Sequence, residues 1–178
     1  MGQRFIMTAF GEDRPGIVAD VTEILYANDC NLEDTSMTLL AGEFTLVLLF
    51  TAGSADVEGP LSRACRRLEQ EKGISAFLRP LAPKSAVKTD NTCISRTLHV
   101  EGLDQAGIVH KISRFLADNR INISDLVSTV KPSPESGAAM YVMDIRVQVP
   151  DGTDMGSVEN GLHGVADDLN VDITFSES

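Results

Sequence analysis

The sequence predicts an α+β protein built from two copies of one β-α-β-β-α-β unit. Three observations support this prediction. The 178-residue chain repeats itself at an offset of 91 residues, apolar residues recur at helical spacing twice in each half, and β-prone apolar runs lie between those segments. Residues 11–34 and 102–125 are identical at nine of 24 aligned positions. A repeat this long indicates two domains, each large enough to form a core.

The first half contains the complete pattern of one unit. Residues 4–10 predict a strand, residues 32–40 and 44–51 predict a hairpin, and residues 74–81 predict a closing strand. Pro60 and Gly73 frame the second of two helices. The expected buried stripes of the helices are Ile17, Val18, Val21, Ile24 and Leu25, and then Leu61, Ala64, Cys65 and Leu68.

The second half repeats this order, with strands predicted at 97–101, 122–131, 140–149 and 171–175 and a longer hairpin connection at 132–137. In its last helix, Gly156, Gly161 and Gly164 each lower the helix propensity by up to about 1 kcal/mol relative to Ala. The expected stripes are Ile108, Val109, Ile112, Phe115 and Leu116, and then Met155, Val158, Leu162, Val165 and Leu169.

A β-α-β-β-α-β unit is the ferredoxin-like arrangement, an antiparallel four-stranded sheet with two helices on one face. We therefore expect domains at residues 1–81 and 93–178, joined by the polar segment 82–92. The sheet face without helices is then open. Residues 140–149 alternate as a half-solvated strand should, whereas Val47 and Leu49 are apolar where solvent is expected. This predicts that another surface, in the same chain or in a partner, covers the first open face.

Composition excludes several classes of function. The net charge of −11 argues against direct nucleic-acid binding, and no apolar run is long enough to span a membrane. The N-terminal residues do not resemble a signal peptide, so we expect a cytoplasmic protein.

Cys30, Cys65 and Cys93 lack paired spacing and are interpreted as reduced core residues. The three histidines lack the spacing of metal ligands. We expect no catalytic residue, metal or cofactor.

The matched polar residues fall at the loop before the first helix of each half. Asp13-Arg14-Pro15-Gly16 corresponds to Asp104-Gln105-Ala106-Gly107. One interpretation is structural: Asp caps a helix, Pro is suited to its first turn, and the pairs Asn28/Asn119 and Asn31/Asn122 end it in left-handed geometry. The other is a binding site for an amino acid. A helix N-terminus favours a carboxylate, glycine permits close approach, and Asp can accept an ammonium group.

The D-R-P-G-I-V loop and its D-Q-A-G-I-V copy, each opening the first helix of such a unit, resemble the ACT domain. The tandem arrangement, with CNLEDTSMTLLAGEFTLVLLF and INISDLVSTV, is similar to the glycine cleavage system transcriptional repressor group. The resemblance implies edge-to-edge or face-to-face association, a homodimer, and a small amino acid, glycine in that group, bound at domain interfaces. It also implies control of transcription through a separate DNA-binding protein.

Carried over by position, the resemblance implies ten ligand-binding residues: Asp13, Arg14, Gly16, Ile17 and Asn31, and Asp104, Gln105, Gly107, Ile108 and Asn122. The second loop departs from the pattern, because Gln105-Ala106 replaces Arg-Pro. Two alternatives remain. One is a ligand-independent interaction or oligomerisation module whose loops are only caps. The other is a small enzyme like acylphosphatase with a catalytic Arg14, although Gln105 replaces that residue in the second copy and the glycine pattern of that family is missing.

Overall fold

The computed structural model describes residues 2–53, 56–82, 93–134 and 136–177. The chain divides into two compact units, Met1–Val87 and Lys88–Ser178, and each has the element order β-α-β-β-α-β. Of the linker expected at 82–92, all but residue 82 lies outside the described residues. Among the described residues, no helix has the length and apolar character needed to cross a membrane.

Each unit forms one antiparallel four-stranded sheet, as predicted. The strand order is β2-β3-β1-β4 in the first and β6-β7-β5-β8 in the second. The elements of the first unit are β1 (Gln3–Glu12), α1 (Ile17–Tyr26), β2 (Cys30–Leu40), β3 (Glu43–Ala52), α2 (Glu58–Lys72) and β4 (Ser75–Pro80). Those of the second are β5 (Cys93–Leu103), α3 (Ile108–Asp118), β6 (Asn122–Pro132), β7 (Ala139–Pro150), α4 (Met155–Leu169) and β8 (Val171–Glu177).

Each core lies between the helices and one face of the sheet. In the first unit, Phe5 and Phe50 stack with ring centroids 5.7 Å apart, and the α1 and α2 stripes pack on the same cluster. Val18 and Val109 were expected in the buried stripes of α1 and α3, but they are 42% and 40% exposed. Each lies at the margin of its helical stripe, next to a buried residue. The three cysteines differ: Cys65 is buried, Cys30 is half-buried, and Cys93 is exposed at the start of β5. The expectation of a core position was therefore wrong for Cys93.

The two hairpins differ in their turns and share one irregularity. Ala41 and Gly42 both have positive φ, 53° and 84°, which is the geometry of a two-residue type I′ turn. The β6–β7 connection is longer, as predicted. The register of β2 with β3 shifts between Leu32 and Asp34, and β6 with β7 shifts at the equivalent position. The sequence pattern did not predict this shared bulge.

Among the described residues, the face of each sheet opposite its two helices carries no helix of the same unit. Val47 and Leu49 lie on that face of the first sheet and are half-buried. They line a shallow groove together with Ile6, Leu81 and neighbouring polar residues. The covering surface expected there stays a prediction.

Candidate functional site

The loop between β1 and α1 is shaped by its backbone. The Asp13 N–H donates a hydrogen bond to the Gly42 carbonyl, 2.9 Å away, which holds the loop against the tip of the β2–β3 hairpin. Gly16 is the N-cap residue of α1, with φ 89°, and among the described residues no side chain caps this N-terminus. The structural interpretation of Asp13 as a helix cap is therefore wrong. The Asp13 side chain is exposed beside the loop.

An uncapped helix start offers hydrogen-bond donors to a ligand. The first N–H groups of a helix have no acceptor within that helix, and together they carry partial positive charge. A Cβ added at Gly16 would meet nothing within 4 Å, so the space beside this backbone is open. The start of α1 can therefore receive an anion. Ile17, in contrast, is only 3% exposed, and its N–H donates to the Arg14 carbonyl at 3.4 Å, so the structure places this residue in the core.

Arg14 is held by a carboxylate on α1. Its Nη2 donates to Asp20 Oδ2 at 2.6 Å, and Lys72 Nζ, at the end of α2, lies 3.6 Å from Asp20 Oδ1. The hydrogen bond from Arg14 holds the pKa of the Asp20 carboxyl below its ordinary value of 3.8. Lys72 acts in the same direction, against the opposing effect of desolvation. The three residues join the loop, α1 and α2, with one net positive charge.

The second loop has the same backbone and different side-chain chemistry. The Asp104 N–H donates to the Ala139 carbonyl at 2.9 Å, and Gly107, the uncapped start of α3, has φ 100°. Gln105 Nε2 donates to the Leu169 carbonyl at the end of α4. Lys111 occupies the position of Asp20. Both loops are thus fastened to the end of the second helix of their unit, but only the first uses ion pairs.

The asparagines that follow the first helix of each unit cap the C-terminus of that helix. They do so through their side chains, and not through the left-handed backbone geometry that was expected. Asn28 Nδ2 donates to the Ile24 carbonyl at 2.7 Å, and Asn119 Nδ2 donates to the Phe115 carbonyl at 2.8 Å. The left-handed residues are instead their successors, Asp29 and Arg120. Asn28 and Asn119 therefore satisfy free carbonyls at helix ends, which accounts for their repetition without a ligand.

Asn31 and Asn122 lie far from the loops of their own units. Asn31 pairs with Thr51, which pairs with Arg4 near the start of β1, whereas the loop follows the other end of β1. Eight residues of strand separate the two ends, about 25 Å at ~3.3 Å per residue. Asn122 occupies the same place in the second unit, and its Nδ2 donates to Gln148 Oε1 at 3.2 Å. Ile108 matches Ile17 and is 2% exposed. The structure brings the loop residues together and places the asparagines at the opposite end.

The other polar clusters among the described residues resemble a binding site less than the two loops do. His99 Nδ1 lies 2.7 Å from Asp144 Oδ1 on the open face of the second sheet. Within the described parts of the chain, no group of three His, Cys, Asp or Glu side chains is arranged to hold a metal ion. Arg14, the one residue that suggested acylphosphatase chemistry, has its guanidinium engaged by Asp20.

Comparison with known proteins supports the resemblance seen in the loops. The family profile that matches is that of the ACT domain, over residues 3–78. A UPF0237 protein of Methanopyrus kandleri is 35% identical over 77 residues, covering 43% of this chain and 86% of that protein. The chain belongs to the ACT-domain family.

Two further similarities extend over both units. The glycine cleavage system transcriptional repressor of Escherichia coli (strain K12) is 27% identical over 172 residues, which cover 93% of this chain and 85% of that protein. A crystal structure of a protein from Galdieria sulphuraria superposes with a TM-score of 0.80 at 28% identity, covering 100% of this chain and 99% of the other. The prediction of two ferredoxin-like ACT units is confirmed.

Proposed function

We propose that this ACT-domain chain is a non-catalytic regulatory protein that binds a small amino acid at the loop between β1 and α1. The observation that carries the proposal is the open, uncapped start of α1 at Gly16, with the Arg14 cation held beside it by Asp20. This arrangement combines backbone donors and positive charge for a carboxylate with an exposed Asp13 for an ammonium group.

Glycine is the ligand that we propose first. The E. coli relative is a glycine cleavage system repressor by name, and it matches this chain over both units. A ligand with no side chain also suits a site whose contacts are backbone N–H groups and two charged residues. Asp104, Gln105 and Gly107 form the corresponding second site. We expect weaker binding there, because Gln105 has no charge and its amide donates to Leu169.

Asn31 and Asn122 remain candidate ligand contacts under this proposal. Each lies at the end of its sheet away from the loop of its unit, so we propose that they reach a ligand from a second copy of the chain.

Titration calorimetry with glycine, glycinamide and acetate tests the chemistry of the site. Glycinamide lacks the carboxylate and acetate lacks the ammonium group, so glycine should bind and both analogues should bind at least about tenfold more weakly, as loss of a hydrogen bond to a charged group implies. Arg14→Ala should weaken glycine binding to a similar extent. Arg114→Ala is the matched control, because Arg114 pairs with Asp118 on the exposed surface of α3. No heat with glycine, serine or any other amino acid at millimolar concentration would favour the ligand-independent interaction module.

We also propose that the signal passes to a separate DNA-binding protein. A chain with a net charge of −11 has no electrostatic reason to bind DNA directly. In an electrophoretic mobility assay at low salt, the chain alone should not retard DNA fragments. Retardation by the purified chain would contradict this part of the proposal.

A further inference from the structure

The outward face of α2 carries three arginines. Arg63, Arg66 and Arg67 recur at helical spacing, Gln70 continues the row by one more turn, and all four side chains are exposed. Arg63 lies two positions after the buried Leu61, which places it about 200° away around the helix axis. These four residues, which we call the arginine stripe, therefore point away from the core of the first unit.

The positive charge of the arginine stripe is not neutralised within its unit. None of the three arginines forms an ion pair with another described residue. Of the nearby carboxylates on α2, Glu69 Oε1 accepts a hydrogen bond from Ser75 Oγ at 3.0 Å. Glu71 follows Arg67 by four residues, a spacing at which a helical ion pair can form, yet these two side chains do not pair. The three cations are thus available to another molecule.

This arrangement opposes the stability of the helix that carries it. Arg63 precedes Arg66 by three residues and Arg67 by four, so the three side chains are neighbours on the helix surface. Like charges at such spacing destabilise a helix. The stripe also holds three of the 15 basic residues of a chain that has 26 acidic ones. Positive charge is therefore concentrated on one helix face of a strongly acidic protein.

The second unit supplies an internal comparison. The helices α2 and α4 have 15 residues each, and when they are aligned from their first residues, buried Leu61 and Cys65 match buried Val158 and Leu162. The counterparts of the arginine stripe are all exposed, and they are Asn160, His163, Gly164 and Asp167. No arginine or lysine occurs in α4. Because the same helix forms in the second unit without these cations, the fold does not require them, which indicates a role in binding.

We propose that the arginine stripe binds an acidic helix of a partner protein. From Arg63 to Gln70 the stripe spans about 10.5 Å, at ~1.5 Å per residue. A helix with carboxylates at positions i, i+3, i+4 and i+7 presents its negative charges over the same length. A guanidinium group can donate two parallel hydrogen bonds to one carboxylate, so the pairing adds geometric specificity to the attraction. The stripe residues take no part in the described contacts of Arg14, so this surface is a second one, independent of the proposed amino-acid site.

The charge of the whole chain favours this occupant over two others. A DNA duplex carries one negative charge per about 1.7 Å, so its phosphates would extend past a stripe about 10 Å long and face an acidic protein. A second copy of the chain brings a net charge of −11 towards an equal charge, which opposes association. A short acidic helix ends where the stripe ends and avoids both penalties.

Fluorescence anisotropy with a labelled peptide at low salt tests the proposal. The probe is an alanine-based helical peptide with glutamates at i, i+3, i+4 and i+7, and its control is the same peptide with glutamines. The wild-type chain should bind the glutamate peptide about tenfold more tightly, which is the effect expected of three exposed ion pairs together. Binding should weaken as added salt screens these pairs.

The triple variant Arg63→Gln/Arg66→Gln/Arg67→Gln removes the charge of the stripe. It should bind the glutamate peptide about tenfold more weakly than the wild-type chain does. Each single substitution should cause part of this loss. Glutamine is a good helix former and all three positions are exposed, so the circular dichroism spectrum should stay unchanged.

A second triple variant is the matched control for net charge. Arg114→Gln/Arg120→Gln/Lys131→Gln removes the same charge from exposed positions of the second unit and should bind the peptide as the wild-type chain does. Absence of binding to the glutamate peptide, or equal losses in both triple variants, would overturn the proposal. Binding of a DNA duplex through the stripe, or self-association that the stripe variant abolishes, would assign this face to a different occupant and overturn it as well.

The outcome does not depend on the proposed amino-acid site. Anisotropy is measured without an amino acid present, so a failure of the glycine titration leaves this test unaffected.

Discussion

Two glycines on α4 should respond in opposite ways to the same substitution. A Cβ added at Gly161 would lie 2.5 Å from Phe115 Cζ and 2.6 Å from Cε2, whereas a Cβ added at Gly164 would meet nothing within 4 Å. Both positions are inside the helix, where glycine costs about 1 kcal/mol relative to alanine. Replacing glycine with alanine gives the same gain in helix propensity at both positions. The difference between the two variants in free energy of unfolding therefore measures the packing of α4 on α3.

The expected magnitudes follow from these contacts. Gly164→Ala should raise the free energy of unfolding of the second unit by about 1 kcal/mol. At Gly161 the same gain is opposed by an overpacking cost of typically about 1–3 kcal/mol, because the Phe115 ring is half-buried against the core and must move. Gly161→Ala should therefore be neutral or destabilising by up to about 2 kcal/mol.

Urea unfolding followed by circular dichroism measures both variants. The midpoint of the second unit should rise for Gly164→Ala and stay constant or fall for Gly161→Ala. A double variant, Gly161→Ala with Phe115→Leu, should recover part of the loss if the clash with the ring is its cause. Equal stabilisation by both single substitutions would refute the argument that α4 lies so close to Phe115.

Three other predictions concern single residues. Because the Asp20 pKa is lowered by Arg14, its contribution to stability is complete above about pH 3.8 and is lost as the pH falls through the lowered folded value. Asp20→Asn should thus cost stability at neutral pH, and this cost should shrink as the pH falls below about 3.8, as urea midpoints would show. A cost that does not change with pH would contradict the assignment. Exposed Cys93 should react with a thiol reagent before Cys65, whose pKa is raised by burial, and Cys93→Ser should remove the fast phase. Ala41→Asn should raise the thermal midpoint through a gain of about 0.5–1 kcal/mol, since Asn tolerates the positive φ of this turn, and a lower midpoint would argue against the type I′ geometry.

Much of the fold could be predicted because its signals are local or periodic. The helical stripes at Ile17 and Ile108 and the two-residue connection at Ala41-Gly42 are readable along the chain. Those signals depend on backbone periodicity and turn chemistry, which are properties of a few adjacent residues. The shared bulge near Asp34 and Asp125 was missed, because an unpaired residue in one strand leaves the apolar pattern almost unchanged.

The residues of the candidate site were predicted from the sequence, but their arrangement in space was predicted only in part. The loop residues are adjacent in sequence, so their proximity was certain, but the bond from Arg14 to Asp20 and the approach of Lys72 require the packing of α1 on α2. Asn31 seemed part of the same site because its repetition matches that of the loop. The strand register instead places it at the far end of the sheet, and no pattern along the chain encodes that separation.

The sequence by itself determined the duplication, the order of elements, the buried stripes and the two glycine loops, because each depends on residue type at fixed spacing. Only the tertiary structure decided which side chains meet across elements. It ties Arg14 to a carboxylate and Gln105 to a backbone carbonyl. The physical reason is that contacts between elements depend on register and packing, which bring together residues that are far apart in the chain.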